Sequence, residues 1–108
     1  MSSALRIYLQ EAGGFRVSVA ESVAEAVRVA SGDAVDVMFL DLKLADGDGL
    51  RVLEALREAG RTPRVTAALT GADDATTQAR CAAAGCRAVL VKPVPPRELV
   101  RLVGAWLS

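Results

Sequence analysis

The chain contains no histidine in its 108 residues. The commonest general base and the commonest metal ligand are therefore unavailable, and any chemistry must rest on carboxylates, hydroxyls, lysine or the backbone. Only two cysteines occur, Cys81 and Cys86, five apart and with no second pair. Zinc sites want closely paired ligands, four in all, so the two are read as small buried hydrophobes of a reducing compartment. Neither charge sign dominates: 13 basic and 13 acidic residues cancel, which argues against a non-specific nucleic-acid partner or a polybasic membrane surface. No apolar run approaches membrane-spanning length, and Met1-Ser2-Ser3-Ala4-Leu5-Arg6 lacks a signal-peptide core. A cytoplasmic location is expected. Lysine is nearly absent too. Lys43 and Lys92 are the two lysines among 13 basic residues, so each raises the question of what a compact point charge does there that arginine would not.

What remains is ordinary globular material, 52% hydrophobic and 24% charged, enough for one domain over residues 1–108 with a real core. The chain is organised around Val35 to Leu50. Val35 to Leu40 is apolar apart from Asp36 and is bounded by Gly32-Asp33 and an Asp/Gly cluster. It reads as a strand buried on both faces, with Asp41 at its end. Before it, Leu5, Tyr8, Leu9 and Ala12 form a helical stripe stopped by Gly13-Gly14, with Ser2 or Ser3 as cap. A strand over Leu5–Leu9 is the competing reading, disfavoured because Arg6 would be costly between two covered faces. Phe15 to Val19 alternates as an edge strand, and Glu21-Ser22 opens a helix through Ser31 with Ser22 and Glu25 as a capping box.

After the central strand, a helix over Leu50–Ala59 turns Leu50, Leu53, Ala55 and Leu56 inward. Val65 to Leu69 is a short strand followed by Thr70-Gly71, and Asp73 or Asp74 caps an alanine-rich helix ended by Ala84-Gly85. Ala88 to Val91 is a buried strand that delivers Lys92-Pro93, and Glu98 to Leu107 is the last helix, behind Pro95-Pro96. Regular α-β alternation with short connections predicts a parallel sheet with helices on both faces.

Three strands then end in side chains that work together: Asp41, Thr70 and Lys92. In a parallel α/β sheet these share the carboxyl rim, where sites lie. A carboxylate there is a nucleophile toward phosphorus, and a hydroxyl with an ammonium holds the phosphoryl oxygens as charge develops. Each residue alone has a bland explanation as a cap or loop residue; the three at successive strand ends do not.

On Asp41 to Leu50, Leu69-Thr70-Gly71, and Ala84-Gly85 through Lys92-Pro93, the chain resembles the receiver domain of two-component response regulators, over Leu5 to Leu107. The resemblance implies a flavodoxin-like α/β fold, a three-layer parallel sheet, and no enzymatic turnover. It implies that Asp41 is the phospho-acceptor for a histidine kinase. Thr70 and Lys92 would contact the phosphoryl group, the Lys92–Pro93 bond would be cis, and Asp41 with the backbone carbonyl of Lys43 would face Mg²⁺.

The chain departs from the family in its first β-strand and the acidic pair that strand carries. Neither is expected ahead of the first helix, so Mg²⁺-dependent phosphorylation is expected to be impaired. Val89 stands at the aromatic switch position and Ala45 where a proline is usual. The vacated strand slot leaves three arrangements open: direct pairing of the flanking strands, conversion of Leu5–Leu9 to a strand, or association of two chains. A homodimer is expected. The alternative function is a truncated pseudo-receiver, a protein-interaction module that works without phosphorylation. A haloacid-dehalogenase-like aspartyl phosphatase is disfavoured, because that family wants a second aspartate where Lys43 stands. No output domain is expected within 1–108.

Overall fold

In the computed structural model, residues 18, 20–32, 34–71 and 74–107 are described. The helix expected over Leu5–Ala12, the strand expected over Phe15–Val19 (Ser18 apart), the expected loss of the first strand and the candidate cap Asp73 lie outside the described residues. The described elements are α1 (Val23–Gly32), β1 (Val37–Asp41), β2 (Lys43–Leu44), β3 (Gly47–Asp48), α2 (Leu50–Glu58), β4 (Val65–Thr70), α3 (Ala75–Ala84), β5 (Ala88–Val91) and α4 (Pro96–Leu107).

β1, β4 and β5 form a parallel sheet in that order, with Asp41 in register with Leu69 and Thr70 with Val91. The central strand is the most covered: Thr66 to Thr70 are all buried. Burial on both faces was expected for the strand at Val35, and a buried strand at Ala88. That expectation is corrected. In β1 only Leu40 is buried, and in β5 Ala88 to Leu90 are half-buried and Val91 is exposed. Among the described residues β4 lies between the other two strands, and it is the one whose residues are buried almost throughout.

Successive strand residues point to opposite faces, and β1 shows both layers. Leu40 joins a cluster with Ala30 of α1 and Val52, Leu53 and Leu56 of α2. Its neighbour Phe39 meets Trp106 of α4, ring centroids 6.2 Å apart. Helices therefore cover both faces, in the flavodoxin-like arrangement. On α2 the buried stripe is Val52, Leu53 and Leu56, while Leu50 and Ala55 are half-buried. Val52, in place of the expected Ala55, is fully buried in the cluster with Ala30 and Leu40.

The helix ends follow local rules. Ser22 Oγ accepts the Glu25 N–H at 3.0 Å, and Asp74 accepts the Thr77 N–H at 2.7 Å, each an N-cap. α4 begins at Pro96, two residues before the expected Glu98, because proline suits the first helical position. α3 ends in a Schellman turn: Gly85 has φ +95°, its N–H donates to Ala82, and the Cys86 N–H donates to Cys81 at 2.9 Å. Such turns bring the residue after the glycine against the third from the helix end. Here those are Cys86, half-buried, and Cys81, fully buried, both free thiols.

The stretch between Asp41 and the helix at Leu50 was expected as loop. It instead holds a two-rung antiparallel hairpin, Lys43 opposite Asp48 and Leu44 opposite Gly47. Two-residue strands leave no periodic signal in a sequence.

Candidate functional site at the carboxyl rim

Sheet register alone brings the three expected side chains to one rim. Asp41 closes β1, Thr70 closes β4, and Lys92 follows β5 directly. Backbone bonds fasten these ends together: Leu42 N–H to the Leu69 carbonyl at 3.1 Å, and Lys92 N–H to the Thr70 carbonyl at 2.7 Å. Thr70 is 8% exposed, at the floor of the rim. The Lys92–Pro93 peptide is cis.

Both oxygens of Asp41 have donors. Lys92 Nζ lies 2.5 Å from Oδ2, and the Lys43 N–H donates to Oδ1 at 3.0 Å. Burial pushes the Asp41 carboxyl upward, but the Lys92 ammonium and the Lys43 N–H outweigh it, and the group sits below its ordinary value. Asp41 is therefore a resting carboxylate at neutral pH. Each carboxylate oxygen carries two lone pairs, so one on each oxygen is not used by these bonds.

Lys43 reaches the site through its backbone, while its side chain is exposed. The expected Mg²⁺ ligands, the Asp41 carboxylate and the Lys43 backbone carbonyl, are one side chain and one backbone oxygen. Among the described residues no three His, Cys, Asp or Glu side chains gather. Mg²⁺ takes near-octahedral oxygen coordination, so this donor set does not by itself fit the ion, and no step is derived through it.

Three residues of the acceptor loop have roles that spacing did not reveal. Gly49 passes so close to Asp41 that an added Cβ would stand 2.0 Å from the Asp41 carbonyl oxygen. Asp48 accepts the Leu50 N–H at 3.0 Å in the turn just ahead of α2, and pairs with Arg80 of α3. Asp46 reaches back to the start of α1. The only hint in the sequence was the density of Asp and Gly after Asp41, which marked a turn but not its partners.

Among the described residues four aspartates sit below the ordinary carboxyl value. Asp41 is lowered as described. Asp46 is lowered by the Val23 and Ala24 N–H groups, Asp48 by the Leu50 N–H ahead of Arg80, and Asp74 by Thr77. Each binds its proton more weakly in the folded chain than in the unfolded one. The stability they contribute is complete above the unfolded carboxyl value of about 4 and is lost as pH falls through the lower folded values. The urea midpoint is expected to be flat from pH 7 to about 5 and to drop below about pH 4, less steeply in high salt because the groups are partly exposed. A midpoint unchanged down to pH 3 would contradict this.

Residues 1–104 match the model of a family described as the response regulator receiver domain. The acid tolerance regulatory protein ActR of Rhizobium meliloti (strain 1021) is 36% identical over 90 residues, 83% of this chain and 46% of that protein. The transcriptional regulatory protein SrrA of Staphylococcus aureus (strain NCTC 8325 / PS 47) is 34% identical over 103 residues, 95% of this chain and 42% of that protein. The chain thus spans less than half the length of these curated relatives. A two-component response regulator from Clostridium difficile superposes with a TM-score of 0.84 at 24% identity, covering 96% of this chain and 84% of the other. That likeness concerns the fold.

Proposed function

The chain belongs to the response regulator receiver domain family of two-component signalling, and on that footing we propose that Asp41 is its phospho-acceptor, charged by a histidine kinase. The observation that carries this is the Asp41 carboxylate held by Lys92 Nζ and the Lys43 N–H at the carboxyl rim, with Thr70 ending the neighbouring strand. A free lone pair of an Asp41 oxygen forms a bond to the phosphorus of a phosphohistidine. The P–N bond breaks, and the electron pair leaves with the imidazole, which takes up a proton. The Lys92 ammonium faces the negative charge that builds on the transferring oxygens, and the Thr70 hydroxyl is a second donor on the same rim. Asp41 is itself modified, so the chain is read as a stoichiometric signalling acceptor, not a turnover enzyme.

Exposure to acetyl phosphate with Mg²⁺, followed by intact mass, tests this. Wild type is expected to gain one phosphate and Asp41→Ala none. Equal labelling of both, or of neither, would overturn it.

A second reading, an interaction module that works without phosphate, rests on Val89. It lies half-buried in β5, three residues before Lys92, and has no ring whose rotamer could report the state of Asp41. Absence of label on wild type would favour that reading.

A further inference from the structure

The turn of the β2–β3 hairpin does more than join two short strands. Asp46 Oδ1 accepts the Val23 N–H at 2.6 Å and Oδ2 accepts the Ala24 N–H at 3.2 Å. One residue earlier, the Ala45 N–H donates to the Glu21 carbonyl at 3.4 Å. The first N–H groups of a helix have no partners within it. In α1 the Glu25 N–H is closed locally by Ser22, while those of Val23 and Ala24 are closed by a loop residue more than twenty positions away. The charge has the right sign, since a carboxylate is favoured at a helix N-terminus. Its depressed pKa keeps Asp46 ionised at neutral pH.

The same hairpin orients Asp41. Lys43 lies in β2 opposite Asp48, and its N–H is the donor to Asp41 Oδ1. A hairpin this short does not hold itself in place. It is anchored at its base by Gly49 N–H to the Leu42 carbonyl at 2.9 Å, and at its tip by Asp46.

We propose that Asp46 is a positioning residue for Asp41: by clamping the hairpin tip to α1 it fixes the Lys43 N–H, and with it the rotation of the acceptor carboxylate. This rests on the reading of Asp41 as phospho-acceptor. It also assigns α1 a part in the site, because the helix start serves as the fixed post to which the acceptor loop is tied.

The test uses Asp46→Ala, Asp46→Asn and, as a control, Ser22→Ala, which removes the other cap of the same helix. Two quantities are measured: residue-resolved amide exchange in the resting protein, and the rate of phosphate uptake from acetyl phosphate. In Asp46→Ala, exchange at Val23, Ala24 and Lys43 is expected to quicken about 10-fold or more, with Ala68 and Leu69 of β4 unchanged. Uptake should slow about 10-fold, as a misaligned acceptor does. Asp46→Asn keeps one oxygen acceptor and should recover part of both. Ser22→Ala should loosen the Glu25 amide yet leave Lys43 exchange and uptake at wild-type values.

Two results would overturn the proposal: wild-type Lys43 protection in Asp46→Ala, or Ser22→Ala slowing uptake as much as Asp46→Ala does. If wild type takes up no phosphate, the acceptor reading fails, and the Lys43 exchange still decides by itself whether Asp46 holds the loop.

Discussion

Replacing Lys92 by alanine is expected to slow phosphate uptake at Asp41 about 100-fold, the usual cost of deleting one preorganised charge at a developing anion. The same change should hardly affect the fold. The Lys92 and Asp41 side chains are 43% and 31% exposed, and ion pairs that open to water contribute about 0.2–1 kcal/mol. The effect therefore separates chemistry from stability: a large loss of rate with a urea midpoint close to wild type. Lys92→Arg should restore the charge and little of the rate. A guanidinium presents a planar fork where the site holds a single ammonium nitrogen 2.5 Å from one carboxylate oxygen. The rarity of lysine in this arginine-rich chain agrees with that demand. Uptake by Lys92→Ala at the wild-type rate would remove Lys92 from the site.

Gly49→Ala is expected to cost about 3 kcal/mol, at the upper end of ordinary overpacking, and to disable Asp41 with it. The reason is contact, not conformation. Gly49 has φ −58° and ψ −28°, angles that alanine adopts freely. Its Cβ, however, would stand 2.0 Å from the Asp41 carbonyl oxygen, 3.0 Å from the Asp41 carbonyl carbon and 3.1 Å from the Leu42 Cα. All three are backbone atoms, so no rotamer change relieves the clash. Either the start of α2 or the end of β1 must move, and the end of β1 carries the acceptor. Gly60→Ala is the counterpart: φ is +70° with nothing within 4 Å, so its cost is purely conformational, about 1 kcal/mol. Urea midpoints for the pair should differ in that order. A Gly49→Ala midpoint equal to wild type would show that the loop and the strand end are not packed as described.

The contrast shows what a sequence carries and what it does not. Asp41, Thr70 and Lys92 were legible because each follows a short apolar run, and a parallel sheet sends every such run to the same rim. Among the described residues the helices were legible from their stripes and end signals, down to Asp74, one of two candidate caps, and Gly85. The burial of β1 and β5 was overestimated, because an apolar run states that a strand can be covered, not how completely the helices cover it. Gly49 was readable as a turn glycine, but its need to be glycine comes from Asp41, eight residues back and across a fold. Asp46 was harder still. A local cap such as Ser22 announces itself by its distance from Glu25, whereas a cap supplied by another loop has no fixed spacing to find.

The Schellman turn at the end of α3 has a practical consequence. It presses the only two thiols of the chain against each other, and burial, reinforced by the neighbouring Cys81, pushes Cys86 up to about 11. At pH 7 about one molecule in ten thousand then carries that thiol as the reactive thiolate. To a maleimide or an iodoacetamide the folded chain is close to cysteine-free, so a single cysteine placed on the surface would take a dye or spin label almost alone, with both native thiols left in place.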